Sequence, residues 1–290
     1  MNVGEALSHG RLLLAGISDT PGRDATLLLS FVLGKPSEFV HLHPEAPVSE
    51  SLIAEYTSFL ERRSAGEPIA YLRGFQEFMG HNFLVDRRVL IPRPETEHVV
   101  ETALDLLCNM PSPTVGDICC GSGAIGLSLA KRLPGAATVL TDVSREAVDL
   151  ARENAERLGL SQRVTFLVGD LVAPLIEMGF AGKFDVLATN PPYIPTDEME
   201  TLSTTVRDYE PRLALDGGES GLQVIRRVVK EAPPALKPGG FLVMEIGHGQ
   251  GEACLEMMRE TGGWSETRVL RDYAGRQRVV VGRKAGLREV

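Results

Sequence analysis

Asn190-Pro191-Pro192-Tyr193 places a side-chain amide, two rigid backbone units and an aromatic ring within four positions. The tetrapeptide follows Phe184-Asp185-Val186-Leu187-Ala188-Thr189, a short apolar run that reads as a buried parallel strand. It therefore falls at a strand's carboxyl end, where open α/β sheets place their ligands. Asn190 carries a carbonyl oxygen and an NH2 group. Both prolines have a fixed φ and Pro191 lacks an N–H, so the turn is stiff and its carbonyls hold a set direction. Tyr193 adds a flat face. This set suits a planar group that bears an NH2: two carbonyl oxygens accept its N–H bonds and the ring packs on its plane. Asn-Pro also makes ordinary turns after strands, so the choice rests on what lies upstream.

Upstream, Val115 to Cys120 is strand-like and runs into Gly121-Ser122-Gly123-Ala124-Ile125-Gly126, which opens a helix. This is the G-x-G-x-x-G fingerprint after a strand, and Asp142 closes the next strand about twenty residues on. The glycines let the backbone approach a ligand, and the acid takes ribose hydroxyls. Two classes share the pattern. Nicotinamide enzymes set a pyrophosphate on the helix N-terminus. S-adenosylmethionine enzymes set the methionine part of the cofactor against the loop. Asp117 lies within the first strand, where an acid reaches a cationic amino group directly or through water and does little for a pyrophosphate. Asp170, after Gly169 at the end of the third strand, offers an acceptor to an adenine NH2. Asn190 to Tyr193 has no evident role in hydride transfer. Three acids at successive strand ends beside a glycine loop favour S-adenosylmethionine.

The rest of the chain positions these groups. Its 290 residues suffice for two domains, and its composition, 43% hydrophobic and 24% charged, is that of a globular protein. No apolar run is long enough to span a membrane, and the N-terminus lacks the basic start and apolar core of a secretory signal. The four cysteines include no C-x-x-C pair, so a metal site or disulfide framework is not expected, and a reducing cytoplasm is. A net charge of -9 argues against gripping long nucleic acid. Residues 1–70 read as a small helical domain: Leu7 to Ile17, Asp24 to Leu33 stopped by Gly34, and a third helix capped by Ser49 and ended by Gly66 and Pro68. His41 and His43 have no third ligand nearby and read as surface residues. Residues 71–90 read as a β-hairpin linker. The prolines of Ile91-Pro92-Arg93-Pro94 rule out helix there, and Glu95 and Glu97 suit the first turn of the helix that follows. Residues 91–290 form the catalytic domain. Strands at Val115 to Cys120, Val139 to Asp142, Val164 to Val168, Phe184 to Thr189 and Phe241 to Ile246 alternate with helices, one of them Gly221 to Leu236. Two further strands, Thr267 to Arg271 and Arg278 to Val281, suit an antiparallel edge. The fold class is α/β, a doubly wound, mostly parallel sheet.

The glycine loop and Asn-Pro-Pro-Tyr together resemble the class I methyltransferases that modify amide or exocyclic nitrogens. More narrowly, the sequence is similar to the peptide chain release factor glutamine methyltransferases, the HemK/PrmC family. The similarity lies in Glu67-Pro-Ile-Ala-Tyr71-Leu, Leu90-Ile-Pro-Arg-Pro-Glu95-Thr-Glu97, Tyr209-Glu-Pro-Arg-Leu-Ala214-Leu, Phe241-Leu-Val-Met-Glu245-Ile-Gly-His-Gly-Gln250-Gly-Glu and Arg271-Asp-Tyr273. It spans nearly the whole chain. It implies a Rossmann-like, seven-stranded catalytic domain behind an N-terminal helical domain that recognises the substrate. It also implies N5-methylation of the glutamine in the Gly-Gly-Gln loop of release factors. Matched cofactor positions are Cys119, Cys120, Gly121, Ser122, Gly123, Asp142, Asp170 and Leu171, beside Asp117 and Asn190. Catalytic and substrate positions are Asn190, Pro191, Pro192 and Tyr193. The chain departs from the family in having Cys119-Cys120 where Gly-Thr is usual, and Leu171 where many members carry an aromatic. An adenine N6-methyltransferase of DNA or RNA shares the Asn-Pro-Pro-Tyr chemistry and stays open as the alternative. A nicotinamide-dependent oxidoreductase or a non-catalytic cofactor-fold protein remains behind it.

Overall fold

A computed structural model describes residues 1–286 and divides the chain into two compact units. The first comprises Met1–Phe75 together with Ser203–Tyr209; the second comprises Gln76–Leu202 and Glu210 onward.

The first unit is helical: α1 (Val3–Leu14), α2 (Pro21–Leu33), α3 (Ser37–Leu42), α4 (Glu50–Ser64) and α5 (Ile69–Arg73). Its boundaries follow local chemistry. Asn2 and Glu5 cap α1 reciprocally, Pro21 opens α2, Gly34 closes it at φ +61°, and Ser49 caps α4. Leu14, Leu28, Leu29, Tyr56 and Leu60 form the core. The Tyr56 hydroxyl donates to the Ala25 carbonyl across Gly10, where a Cβ would collide with the ring oxygen. Ile17, expected on the first helix, lies beyond its end and is exposed. The helices also continue past the expected boundary at residue 70. Tyr71 and Leu72 are helical and buried, Leu72 in this core, and Gly74 caps α5 at φ +75°. The chain returns to this unit later. Arg63 donates to the Thr205 hydroxyl, Tyr209 donates to the Ala65 carbonyl, and Gly66 leaves room for Thr204.

The second unit opens within the hairpin of β1 (Phe75–Phe78), whose first residue belongs to the first unit, and β2 (His81–Leu84), shorter than the linker expected over residues 71–90. Met79 and Gly80 both have positive φ, the pattern of a tight two-residue turn. Phe78 and Phe83 meet edge to face and enter the core. The prolines at 92 and 94 do not exclude helix altogether. Pro94 starts a 3-10 turn, Pro94–Thr96, where a missing N–H costs nothing, and α6 (Glu97–Leu107) follows.

Next come β3 (Thr114–Ile118), α7 (Ala124–Arg132), β4 (Ala137–Asp142), α8 (Arg145–Arg157), β5 (Val164–Val168), α9 (Ala173–Glu177) and β6 (Phe184–Thr189). After α10 (Thr204–Arg207), which packs with the first unit, come α11 (Gln223–Glu231), β7 (Leu236–Glu245), α12 (Gly251–Thr261), β8 (Trp264–Arg271) and β9 (Gln277–Lys284). The strand order is β5-β4-β3-β6-β7-β9-β8, parallel from β5 to β7 and antiparallel at β9 and β8. The seven-stranded, mostly parallel sheet matches the expected class. The helix expected over Gly221 to Leu236 is shorter because Pro233 and Pro234 end it, and Leu236 already pairs with Phe184. The Pro-Gly-Gly expected as a stop is instead an irregularity inside β7. β4 and β6 flank β3 on opposite sides, so the chain reverses direction across the sheet beside the carboxyl end of β3. That reversal creates a crevice for a ligand.

Asn154, buried on α8, ties three pieces of this unit together. Its Oδ1 accepts from the Leu84 N–H, and its Nδ2 donates to the carbonyls of Leu84 and Ser122. Asn154→Ala leaves all three backbone groups without their partner and is expected to cost about 2–4 kcal/mol in chemical denaturation. A loss under about 0.5 kcal/mol, the range of ordinary surface changes, would show that the bonds do not matter.

Candidate active site

The glycine loop leaves β3 through Cys119 at φ +59°, with Gly121 at +52° and Gly123 at +79°. Cys119 is one of three non-glycine residues with positive φ among the described residues. A side chain there carries backbone strain of roughly 1–3 kcal/mol. Each glycine has its own reason. A Cβ on Gly126 would lie 2.9 Å from Asp117 Cβ, so this glycine lets α7 press onto β3. A Cβ on Gly123 would lie 2.9 Å from Leu127 and 3.1 Å from Leu140. A Cβ on Gly121 would meet nothing within 4 Å and would project into open space.

Two acids hold the loop from below. Asp142 Oδ2 accepts from the Gly121 N–H at 2.9 Å and its Oδ1 from the Ser144 N–H at 2.9 Å. Asp117 Oδ2 accepts from the Gly126 N–H at 2.8 Å, while its Oδ1 is buried without a partner. Burial pushes the Asp117 carboxyl up to about 8, against the pull of the Gly126 N–H, and the negative charge of Asp142 adds to the rise. Burial likewise raises Asp142, opposed by its backbone donors. Backbone amides that a pyrophosphate would use are thus taken by carboxylates. The place repels anions and suits a cation.

A cavity of about 350 Å3 opens on the loop. Cys119, Cys120, Gly121, Ser122, Asp142, Asp170, Leu171, Asn190 and Pro192 line it, joined by Thr96, Leu213 and Arg227. Four anticipated residues, Asp117, Gly123, Pro191 and Tyr193, are not in the lining. Asp117 has no exposed surface, so of its two expected routes to a ligand the direct one is absent here. Asp170 is held by a bidentate pair with Arg227, whose guanidinium also reaches Glu231 at 3.0 Å. Leu171, at φ +48°, is buried and offers aliphatic packing where an aromatic is usual. Burial pushes both Cys119 and Cys120 far above the ordinary thiol range, so they are neutral. Among the described residues no cluster of His, Cys, Asp or Glu suits a metal ion.

Asn190 sits at the end of β6 with its Nδ2 donating to Thr96 Oγ1 at 3.2 Å. Thr96 donates to Glu245 Oε2 at 2.6 Å, and Tyr193 donates to Glu245 Oε1 at 3.2 Å. Glu245 is 1% exposed; burial raises its carboxyl, opposed by the Thr96 hydroxyl. Burial also raises the Tyr193 phenol, and the charge of Glu245 adds to it. The turn's backbone is clamped. Gln250 donates to the Tyr193 carbonyl at 2.9 Å, and Gly217 and Gly221 leave no space for a Cβ against the carbonyls of Pro192 and Tyr193. Arg93, without a role from sequence alone, pairs with buried Glu210, which also accepts the Ile91 N–H at 3.0 Å. Reading the tetrapeptide alone missed Thr96, Glu245, Gln250 and Arg227. The first three lie inside the family-like blocks; Arg227 lies on a helix with no motif around it.

Fold and cavity define a Rossmann-like methyltransferase. A family model of the methyltransferase small domain matches residues 101–263, and one of the PrmC N-terminal domain matches residues 5–74. The catalytic domain of hMettl16 shares the fold, with a TM-score of 0.57 at 15% identity over 90% of this chain and 94% of that one. A release factor glutamine methyltransferase of Moorella thermoacetica is 44% identical over 95% of both chains, and one of Koribacter versatilis is 40% identical over 96% of both. The chain belongs to the release factor glutamine methyltransferase family. It is an S-adenosylmethionine-dependent enzyme, and the residues present fit that cofactor: Gly121 leaves open space above the loop, and the buried Asp117 keeps one carboxyl oxygen without a partner beneath it.

Asp117 gives this fit a measurable sign. Its folded value lies above its ordinary one, so its contribution to stability is full at acid pH and is lost as pH rises through about 8. A bound cation favours the charged carboxylate. Binding of S-adenosylmethionine at pH 7 is therefore expected to release up to about one proton. Calorimetry in buffers of different ionisation enthalpy reads this release. Asp117→Asn is expected to remove most of it and to flatten the pH dependence of stability. Equal release by the variant would clear Asp117 of the role.

Proposed function

We propose that this enzyme transfers a methyl group from S-adenosyl-L-methionine to the side-chain amide nitrogen, N5, of the glutamine in the Gly-Gly-Gln motif of peptide chain release factors. The observation that carries the reading is that Asn190 lines the same cavity as the glycine loop, with its NH2 turned onto Thr96 and its oxygen left to accept. S-adenosylmethionine, when bound, supplies an electrophilic methyl group on a sulfonium sulfur.

An amide nitrogen is a weak nucleophile because its lone pair is shared with the carbonyl. Asn190 Oδ1 and the Pro191 carbonyl accept the two N–H bonds of the substrate glutamine and aim its nitrogen. Tyr193 packs against the amide plane. The rigid turn delivers this geometry ready-made, and such positioning contributes several kcal/mol, up to about 7–11 in the best cases. The methylated nitrogen becomes acidic and loses its proton readily, so no strong base is needed.

In this reading Asp142 takes the ribose, Asp170 the adenine NH2, and Cys119, Cys120, Gly121, Ser122, Gly123 and Leu171 surround the remainder. The helical unit grips the release factor outside its glutamine loop. The enzyme works in the cytoplasm, without direct contact to nucleic acid.

Labelled methyl is expected to reach a purified release factor and to be absent from a copy with its loop glutamine replaced by alanine. Label on neither, with cofactor still bound, would favour adenine in nucleic acid. Asn190→Ala is expected to lower turnover at least about 100-fold while retaining part of the cofactor affinity. Near-normal turnover in that variant would remove Asn190 from the mechanism.

A further inference from the structure

An asparagine side chain has two ends of nearly equal size and opposite hydrogen-bonding character. If the amide turned over, its NH2 would face the NH2 of the substrate, donor against donor. Something must therefore choose the orientation. We propose that Thr96 and Glu245 are positioning residues that together fix which end of the Asn190 amide faces the substrate; this rests on the reading of Asn190 given above.

The direction is set by proton count. A threonine hydroxyl has one proton. Thr96 gives it to Glu245 Oε2 at 2.6 Å, so toward Asn190 the Thr96 oxygen can only accept. It lies 3.2 Å from the Asn190 amide, and the end that fits there is the NH2. The carbonyl end is left over. Glu245 spends its other oxygen on the Tyr193 hydroxyl at 3.2 Å. One carboxylate thus orders both polar side chains of the Asn-Pro-Pro-Tyr turn, one through Thr96 and one directly.

A role in packing alone does not account for the arrangement. Glu245 is almost wholly buried, and a buried carboxylate is costly where an apolar side chain of similar volume would do. Thr96 is also buried, and its hydroxyl makes both of these contacts at once. Thr96 belongs to the Ile91 to Glu97 stretch and Glu245 to the Phe241 to Glu252 stretch, two blocks that the cofactor loop and the tetrapeptide leave without a task.

The test is a kinetic split on the full chain with a release factor as substrate. Thr96→Val keeps the shape of the side chain and removes the hydroxyl. It is expected to lower kcat about 10- to 100-fold, with the Kd for S-adenosylmethionine and the KM for the release factor little changed. Thr96→Ser restores the hydroxyl and is expected to recover most of the lost kcat. If Thr96→Val binds no cofactor, Thr96→Ala carries the same expectation in its place. A kcat for the hydroxyl-free variant near that of wild type, or a serine variant as slow as the valine one, overturns the proposal. Asn190→Ala run alongside separates the two claims. Asn190→Ala inactive with Thr96→Val normal refutes the relay alone, whereas Asn190→Ala fully active refutes the reading on which the relay rests.

Discussion

Two buried carboxyl groups beneath the glycine loop are the constraint on which the site depends. Asp117 and Asp142 stand on adjacent parallel strands; Asp142 takes the Gly121 N–H of the loop that joins β3 to α7, and Asp117 takes the Gly126 N–H in the first turn of α7. Those bonds shape the loop and consume the donors that make other loops of this pattern attractive to phosphates. Those two N–H groups are therefore not free to bind a phosphate. The cost is a carboxyl, Asp117, held far from its solution value with one oxygen unpartnered.

The side of the cavity formed by Asn190 is built differently. Its polar side chains are bonded to one another, apart from the Asn190 oxygen. Asn190, Thr96, Glu245 and Tyr193 form a closed set, and Gln250 and two tightly fitted glycines hold the turn's backbone. Rigidity here comes from β6 and β7, which lie side by side in the sheet and end at Thr189 and Glu245.

Much of this was legible in the sequence because each signal was local. Strand-loop-helix with three glycines, acids at strand ends, and a proline-stiffened turn are all written in consecutive residues. β5 and β6 fell where their apolar runs place them, and Ser49 and Ser144 capped helices as their type suggests. What escaped was non-local or context-dependent. Asn154 looks like any helix-surface asparagine until the hairpin and the loop fold around it. Asp117 sits in a strand whose helix-facing side is closed by Gly126, so its burial is a property of packing. α11 is shorter than its sequence suggests because Pro233 and Pro234 end it ahead of the Pro-Gly-Gly step, and Leu236 is already paired with β6. Arg93 and Glu210 meet across 117 positions of sequence.

The helical unit is not contiguous in sequence. After the Asn-Pro-Pro-Tyr turn the chain leaves the sheet-containing unit at Leu202, joins the helices as far as Tyr209, and returns at Glu210. Such a unit is not a cassette. A chimera cut once near residue 75 would pair one relative's helices with another's Ser203–Tyr209 segment, so the two pieces have to be exchanged, and to diverge, as a matched set.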